Sequence, residues 1–228
     1  MTVNDSQVGA TDDRANDPGR EGRIPLPDRA QMSPQQQKVY DEVVKGPRGM
    51  MVGPLRAVIH SPELADRWQR LGEFVRYRTV LPVDLKELAI IASAKRWNSE
   101  VEWGVHARAA KEAGVADRVV DAIRDGNEPH LDESAADVYK FTCQLQMSGE
   151  VEDETYRAVL RRWGNRGIVE LTALIGYYTM VAMMLNAHRV PLPPGMPSVF
   201  EKGGTGAREL AVLAPPKLRS ATSPPDET

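Results

Sequence analysis

One cysteine, four histidines and an aromatic content of 6% leave this chain poor in the groups that most enzymes use. With Cys143 alone, neither an internal disulfide nor a cysteine-based zinc cluster forms within one chain, which fits a reducing cytoplasm. An excess of positive charge is missing as well: 29 Lys and Arg stand against 32 Asp and Glu, a formal net charge of -3. Without a broad basic field, nucleic acid and anionic membranes are excluded as expected partners, and a small molecule fits better. Long hydrophobic runs are scarce. The uncharged segment Leu171 to Ala187 is shorter than the roughly 20 residues that cross hydrocarbon, is flanked by Glu170 and His188, and reads as a buried core helix. The opening residues carry Asp5, Asp12, Asp13, Asp17 and Glu21 with no apolar run, so no secretory signal is expected.

What is present suffices for one globular domain with tails: 228 residues, 41% of them apolar. Residues 1–32 are polar and rich in Asp, Gly and Arg, and read as a disordered tail ending in an extended arm at Ile24-Pro25-Leu26-Pro27. Residues 191–228, with prolines at 191, 193, 194 and 197 and the Gly203-Gly204 pair, read as a second tail whose Leu210 to Leu213 segment is suited to dock on a neighbour.

Residues 33–190 between the tails are patterned as helices. Ser33-Pro34 and Ser61-Pro62 each place an N-cap before a proline at the first helical position. The second of these helices carries Leu64, Trp68, Leu71 and Val75 as one apolar stripe and runs to about Arg76. Asp84 is placed to cap the next helix, with Leu85, Leu88, Ile91 and Ala92 toward the core, up to a break at Trp97-Asn98. Its partner runs from Ser99 or Glu100 to Ala113 and is ended by Gly114, which makes a helical hairpin with a very short turn. Four more helices are expected, near 116–125, 132–148, 152–163 and 166–187. Strand-like alternation is almost absent, so the fold class is all-α. A faint echo relates Glu87-Leu88-Ala89-Ile90-Ile91 to Glu170-Leu171-Thr172-Ala173-Leu174. The second copy has Leu185 and Arg189 where the first has Glu102 and His106, and both a duplication and two unrelated buried helices fit this pattern.

The hairpin holds the chemistry. Glu102 and His106 are four residues apart, on one helix face and within hydrogen-bond reach of each other. A carboxylate beside an imidazole fixes its tautomer and raises its pKa, which suits an acid-base catalyst near neutral pH. Trp103 is placed to wall such a site. Glu87, on the preceding helix among apolar neighbours, needs a partner of its own. Arg76, Tyr77 and Arg78 end the helix before the hairpin, where an arginine can clamp a substrate carboxylate or enolate. His60 precedes a helix start, where it either faces a pocket or caps the helix. Tyr177 and Tyr178 read as core residues. Metal binding is not expected, because the local motif supplies two ligands where a catalytic zinc has three.

The run Leu85-Lys86-Glu87-Leu88-Ala89-Ile90-Ile91, with Ala94 and Trp97, then Val101-Glu102-Trp103, His106, Ala110 and Gly114, resembles the carboxymuconolactone decarboxylase family over residues 50–190. Relatives in the alkylhydroperoxidase D-type branch carry a Glu, a Cys-x-x-Cys pair and a His on the same scaffold. Here the matching positions are Glu87, Ser99, Glu102 and His106, so both thiols are gone. The resemblance implies an all-α subunit with a central helical hairpin, assembled into homotrimers or homohexamers, and a lyase that removes carbon dioxide from 4-carboxymuconolactone in aromatic catabolism without metal or organic cofactor. On this reading His106 donates the proton, Glu102 orients it, and Glu87 supports or relays. Trp103, Arg76, Tyr77 and His60 are the substrate-binding candidates. The alternatives are an alkylhydroperoxidase-like antioxidant, disfavoured because thiol chemistry needs a thiolate and a resolving partner, and a non-catalytic helical oligomer or binding module.

Overall fold

Serine before proline starts the first helix as expected. Ser33 accepts from the Gln36 N–H while the Gln36 side chain returns to the Ser33 N–H, a complete capping box. The computed structural model describes residues 22–47, 49–51, 53–200 and 209–218. Among them the chain forms α1 (Pro34–Lys45), α2 (Leu55–Val58), α3 (Pro62–Tyr77), α4 (Val83–Arg96), α5 (Glu100–Glu112), α6 (Asp117–Asp125), α7 (Glu133–Ser148) and α8 (Asp153–Ala187). A parallel pair of two-residue strands, β1 (His130–Leu131) and β2 (Lys217–Leu218), is the only sheet among these residues. The protein is all-α.

The centre of the core is α4, in which every residue from Leu85 to Ala94 is buried. That is why its sequence shows little amphipathic contrast: α5, α7 and α8 pack on it from several sides. Polar contacts tie the layers together. Gln146 on α7 donates to Ser93 Oγ of α4 and Thr179 Oγ1 of α8, and accepts from the Trp97 indole N–H. Asn98 sits at φ 47°, a left-handed turn that asparagine tolerates, and this closes the α4–α5 hairpin in three residues.

Several details depart from the sequence reading. The expected apolar stripe of α3 is divided: Trp68 and Val75 are buried, whereas Leu64 and Leu71 are exposed. Ala65 and Gly72 complete the buried face instead. The structure places Pro82 at the N-cap position of α4 and Asp84 inside its first turn. The separation expected between helices at 152–163 and 166–187, by contrast, is present as a break at Gly164, whose φ of 65° and ψ of -173° is not helical. More than half of the apolar window of α8 is buried, which makes it a core helix although it is long and apolar enough to cross a membrane.

The segments outside the helical body are attached to it. Arg23 donates its N–H to His188 O and its guanidinium to Ala187 O. After α8 the chain crosses the hairpin as a strap. The Glu100 carboxylate accepts from Ser198 Oγ, the Val199 N–H and the Phe200 N–H. Further along, Ala211 and Arg96 exchange two hydrogen bonds, Asn98 donates to Glu209 O, and Leu213 is buried. The Leu210 to Leu213 segment thus makes contacts with its own chain. Residues 1–21, 201–208 with the Gly203-Gly204 pair, and 219–228 of the expected tails lie outside the described residues.

Candidate functional site

Two buried helices meet at the site. α4 is apolar all round and brings Glu87 inside, at 5% exposure; α5 brings in Glu102 at 2% and His106 at 5%. His106 Nδ1 lies 2.6 Å from Glu87 Oε2. With a carboxylate as partner, Nδ1 is the donor and Nε2 keeps the lone pair. The hydrogen bond His106 makes among the described residues is the one at Nδ1, so that nitrogen is pinned and Nε2 is not.

This corrects the expected pairing. The residue that holds His106 is Glu87, nineteen positions away, and not Glu102 on the same helix, whose carboxyl lies against the Ser99 hydroxyl. It also changes the resting state. Burial lowers the His106 pKa below its ordinary value; the hydrogen bond and charge of Glu87 oppose this, and Arg76 adds to the lowering. At rest the imidazole is neutral, so it must take up a proton before it can donate one. Burial pushes the Glu102 carboxyl the other way, well above the usual carboxylate range, with the Ser99 hydroxyl opposing.

Tyr178 of α8, read from the sequence as a core residue, stands edge-on to the His106 ring with centroids 4.8 Å apart. It meets Tyr177 edge-on in turn, and Tyr177 meets Trp68 of α3. Burial raises the Tyr178 hydroxyl well above its ordinary pKa, so it stays a neutral dipole beside the imidazole. No periodicity distinguishes such a tyrosine from any other core aromatic; what singles it out is the crossing of α8 over α5. Lys86 is the second residue the sequence reading missed. It is buried, and its ammonium donates to the Arg76 carbonyl at 2.8 Å, so it satisfies the end of α3 and fixes that end against α4.

Arg76 lies at that end of α3. It is half-buried, its charge acts on both His106 and Tyr178, and its guanidinium meets only the Tyr77 ring, with no acidic partner among the described residues. Tyr77 itself is exposed at 45%. Two other candidates lie elsewhere. Trp103 is buried against Phe200 of the strap, with centroids 5.3 Å apart, and so packs the outer side of α5. His60 is exposed and bonds through Nε2 to Pro25 O, anchoring the N-terminal arm. Cys143 is buried within α7, and burial pushes its thiol up to about 12. Glu170, the echo of Glu87, accepts from the Val80 N–H and Arg166 and fastens the α3–α4 connection to α8. Among the described residues no cluster of three or more His, Cys, Asp and Glu side chains is arranged to hold a metal.

The all-α bundle that holds this buried Glu–His pair has the alkylhydroperoxidase D-like fold. Residues 62–141 match the family model of the carboxymuconolactone decarboxylase family. Among solved structures it is similar to an uncharacterized peroxidase-related protein with an alkylhydroperoxidase AhpD core from Ralstonia eutropha JMP134. That match has a TM-score of 0.62 at 15% identity and covers 77% of this chain and 94% of that one. A peroxidase-related protein from Silicibacter sp. TM1040 matches with a TM-score of 0.61 at 16% identity, covering 76% and 91%. The debrominase Bmp8, in complex with 2,3,4-tribromopyrrole, matches at 0.58 and 16%, covering 75% and 91%. At these identities the likeness is one of fold. No curated protein matches the sequence.

Proposed function

We propose that this chain is a cofactor-independent acid-base enzyme acting on a small carboxylated, lactone-like molecule, and that its reaction is a decarboxylation of the kind the family is named for. The observation that carries this is an imidazole pinned at Nδ1 by Glu87 and not at Nε2, within the field of an arginine that has no acidic partner among the described residues. Arg76 receives the substrate carboxylate or the enolate that forms when carbon dioxide leaves. The substrate's own unsaturation holds the electron pair, and His106 exchanges the proton at Nε2.

Two rival readings have less support. A thiol peroxidase needs an accessible thiolate, and the single thiol is buried and held protonated. A purely structural Glu–His pair would use both ring nitrogens, and one is left over. We further propose assembly into a homotrimer or homohexamer in a reducing cytoplasm. Leu64, Leu71 and Phe74 on α3, and Val169 and Met183 on α8, expose apolar surface that a second copy would cover.

The test is release of carbon dioxide from a panel of carboxylated lactones and small dicarboxylates. His106→Gln, with helical content intact, is expected to lower turnover by about 10²–10⁴-fold. Arg76→Met is expected to act mainly by raising KM. Unchanged turnover in His106→Gln would remove the assignment.

A further inference from the structure

Two faces of α7 have different surroundings. Gln146 lies on the face bonded to α4 and α8. A second stripe, Ala136, Lys140, Cys143 and Met147, recurs at i, i+4, i+7 and i+11 and lines a groove of about 520 Å³. That volume falls in the range of small-molecule sites, roughly 300–1,000 Å³. No residue of the hairpin site lines it.

The opposite wall is the C-terminal segment, and it is tied down at both ends. Ala211 exchanges two hydrogen bonds with Arg96 at the end of α4, and the Lys217 N–H donates to Pro129 O at 3.0 Å where β2 joins β1. Between these ties Leu213 is buried, and Pro215 and Pro216, with fixed φ and no N–H to satisfy, line the groove. The cavity is therefore formed in advance of any ligand. Its α7 side carries two sulfur-bearing side chains, Cys143 and Met147, and sulfur makes favourable contacts with aromatic rings.

The polar groups of the groove supply donors. Lys140 has Glu152 Oε2 3.7 Å from its ammonium, beyond hydrogen-bond distance. Gln144, one turn on, accepts from the Glu152 N–H at 3.1 Å with its amide oxygen, which leaves its NH2 as a donor. Asp137 is held by Arg162 at 2.7 Å, and Glu154, in the first turn of α8, is exposed to solvent, which screens its charge. The neighbouring segments of the chain do not match an apolar groove: Ala207, Ala221, Pro224 and Pro225 are the only apolar side chains in residues 201–208 and 219–228.

We propose that this groove binds a small aromatic monocarboxylate. The carboxylate accepts from Lys140 and Gln144, and the ring lies between Cys143 and Met147 on one side and Pro215 and Pro216 on the other. The site is separate from the hairpin and does not depend on the acid-base reading.

The experiment titrates 2-naphthoate, and its neutral analogue 2-naphthalenemethanol, into the full-length chain by calorimetry. Lys140→Met keeps the apolar stem and is expected to weaken naphthoate by about 10-fold or more while leaving the alcohol unchanged; Lys140→Arg is expected to keep both. A second readout is the 13C-labelled methyl of Met147, assigned through Met147→Leu. It is expected to move with the ring current of bound naphthoate, while the methyl of Met183 on the exposed side of α8 stays in place. No naphthoate binding, an equal loss of acid and alcohol in Lys140→Met, or a Met147 methyl that does not move overturns the proposal. Binding that is lost in Arg76→Met and kept in Lys140→Met also overturns it, and places the carboxylate at the hairpin. A Met147 methyl that moves with protein concentration and not with naphthoate overturns it in favour of a second copy in the groove.

Discussion

Glu102 and Glu87 exchange the places that local spacing assigns them. An i, i+4 relation on a helix brings side chains within reach, but it does not decide which way each rotamer turns once the helix is buried. Glu87 arrives from the neighbouring helix at 2.6 Å and takes Nδ1. This leaves two opposed titrations. Glu102 is neutral in the fold but ionises above about 4.5 in the unfolded chain, so the folded state binds more protons and stability falls as pH rises above that value, by at most about 1.4 kcal/mol per pH unit. His106 binds fewer protons folded than unfolded, so its share of stability is lost as pH falls below 6.5. Urea melts from about pH 5 to pH 8 should show Glu102→Gln flattening the high-pH decline while leaving the low-pH loss. A decline unchanged in Glu102→Gln would mean that another group causes it.

At the level of elements, the hairpin was readable from residue types alone: apolar positions from Leu85 to Ala92, a turn at Trp97-Asn98 and a stop at Gly114, which adopts φ 101°. Helix ends at Gly126 and Gly149 follow the same left-handed rule. Other features depend on distant contacts and left no local mark. Four-residue α2 is too short for periodicity to register. The strap contains proline and glycine and reads as a tail, yet Glu100 gathers three donors from it, and Met196 lies where a Cβ on Gly104 would stand, 2.2 Å from its sulfur. The gap expected between the last two helices proved real as a break at Gly164, in a backbone region open almost only to glycine. Gly164→Ala is expected to destabilise the protein by about 1–3 kcal/mol in denaturant melts; an unchanged midpoint would show that the break relaxes into continuous helix.

For the molecule as a whole, a sequence poor in cysteine and balanced in charge pointed toward proton chemistry on a small molecule, and the buried thiol agrees. The side of each helix that faces solvent was harder to read, because an apolar stripe looks the same whether its own chain or another copy covers it. Leu64 and Leu71 of α3 show this: both belong to the apolar pattern and both are exposed. Sedimentation velocity should find a particle larger than one chain, and Val169→Asp or Met183→Asp should shift it toward the monomer with helical content kept. A wild type that stays monomeric at high concentration would contradict the assembly.

The proposed proton-transfer site is tested most directly by a 15N NMR titration of the His106 ring in the full-length chain. The account predicts a single protonated nitrogen, Nδ1, at neutral pH, with Nε2 gaining a proton only below the ordinary histidine value of 6.5. An imidazolium at neutral pH, or a ring whose proton sits on Nε2, would contradict it.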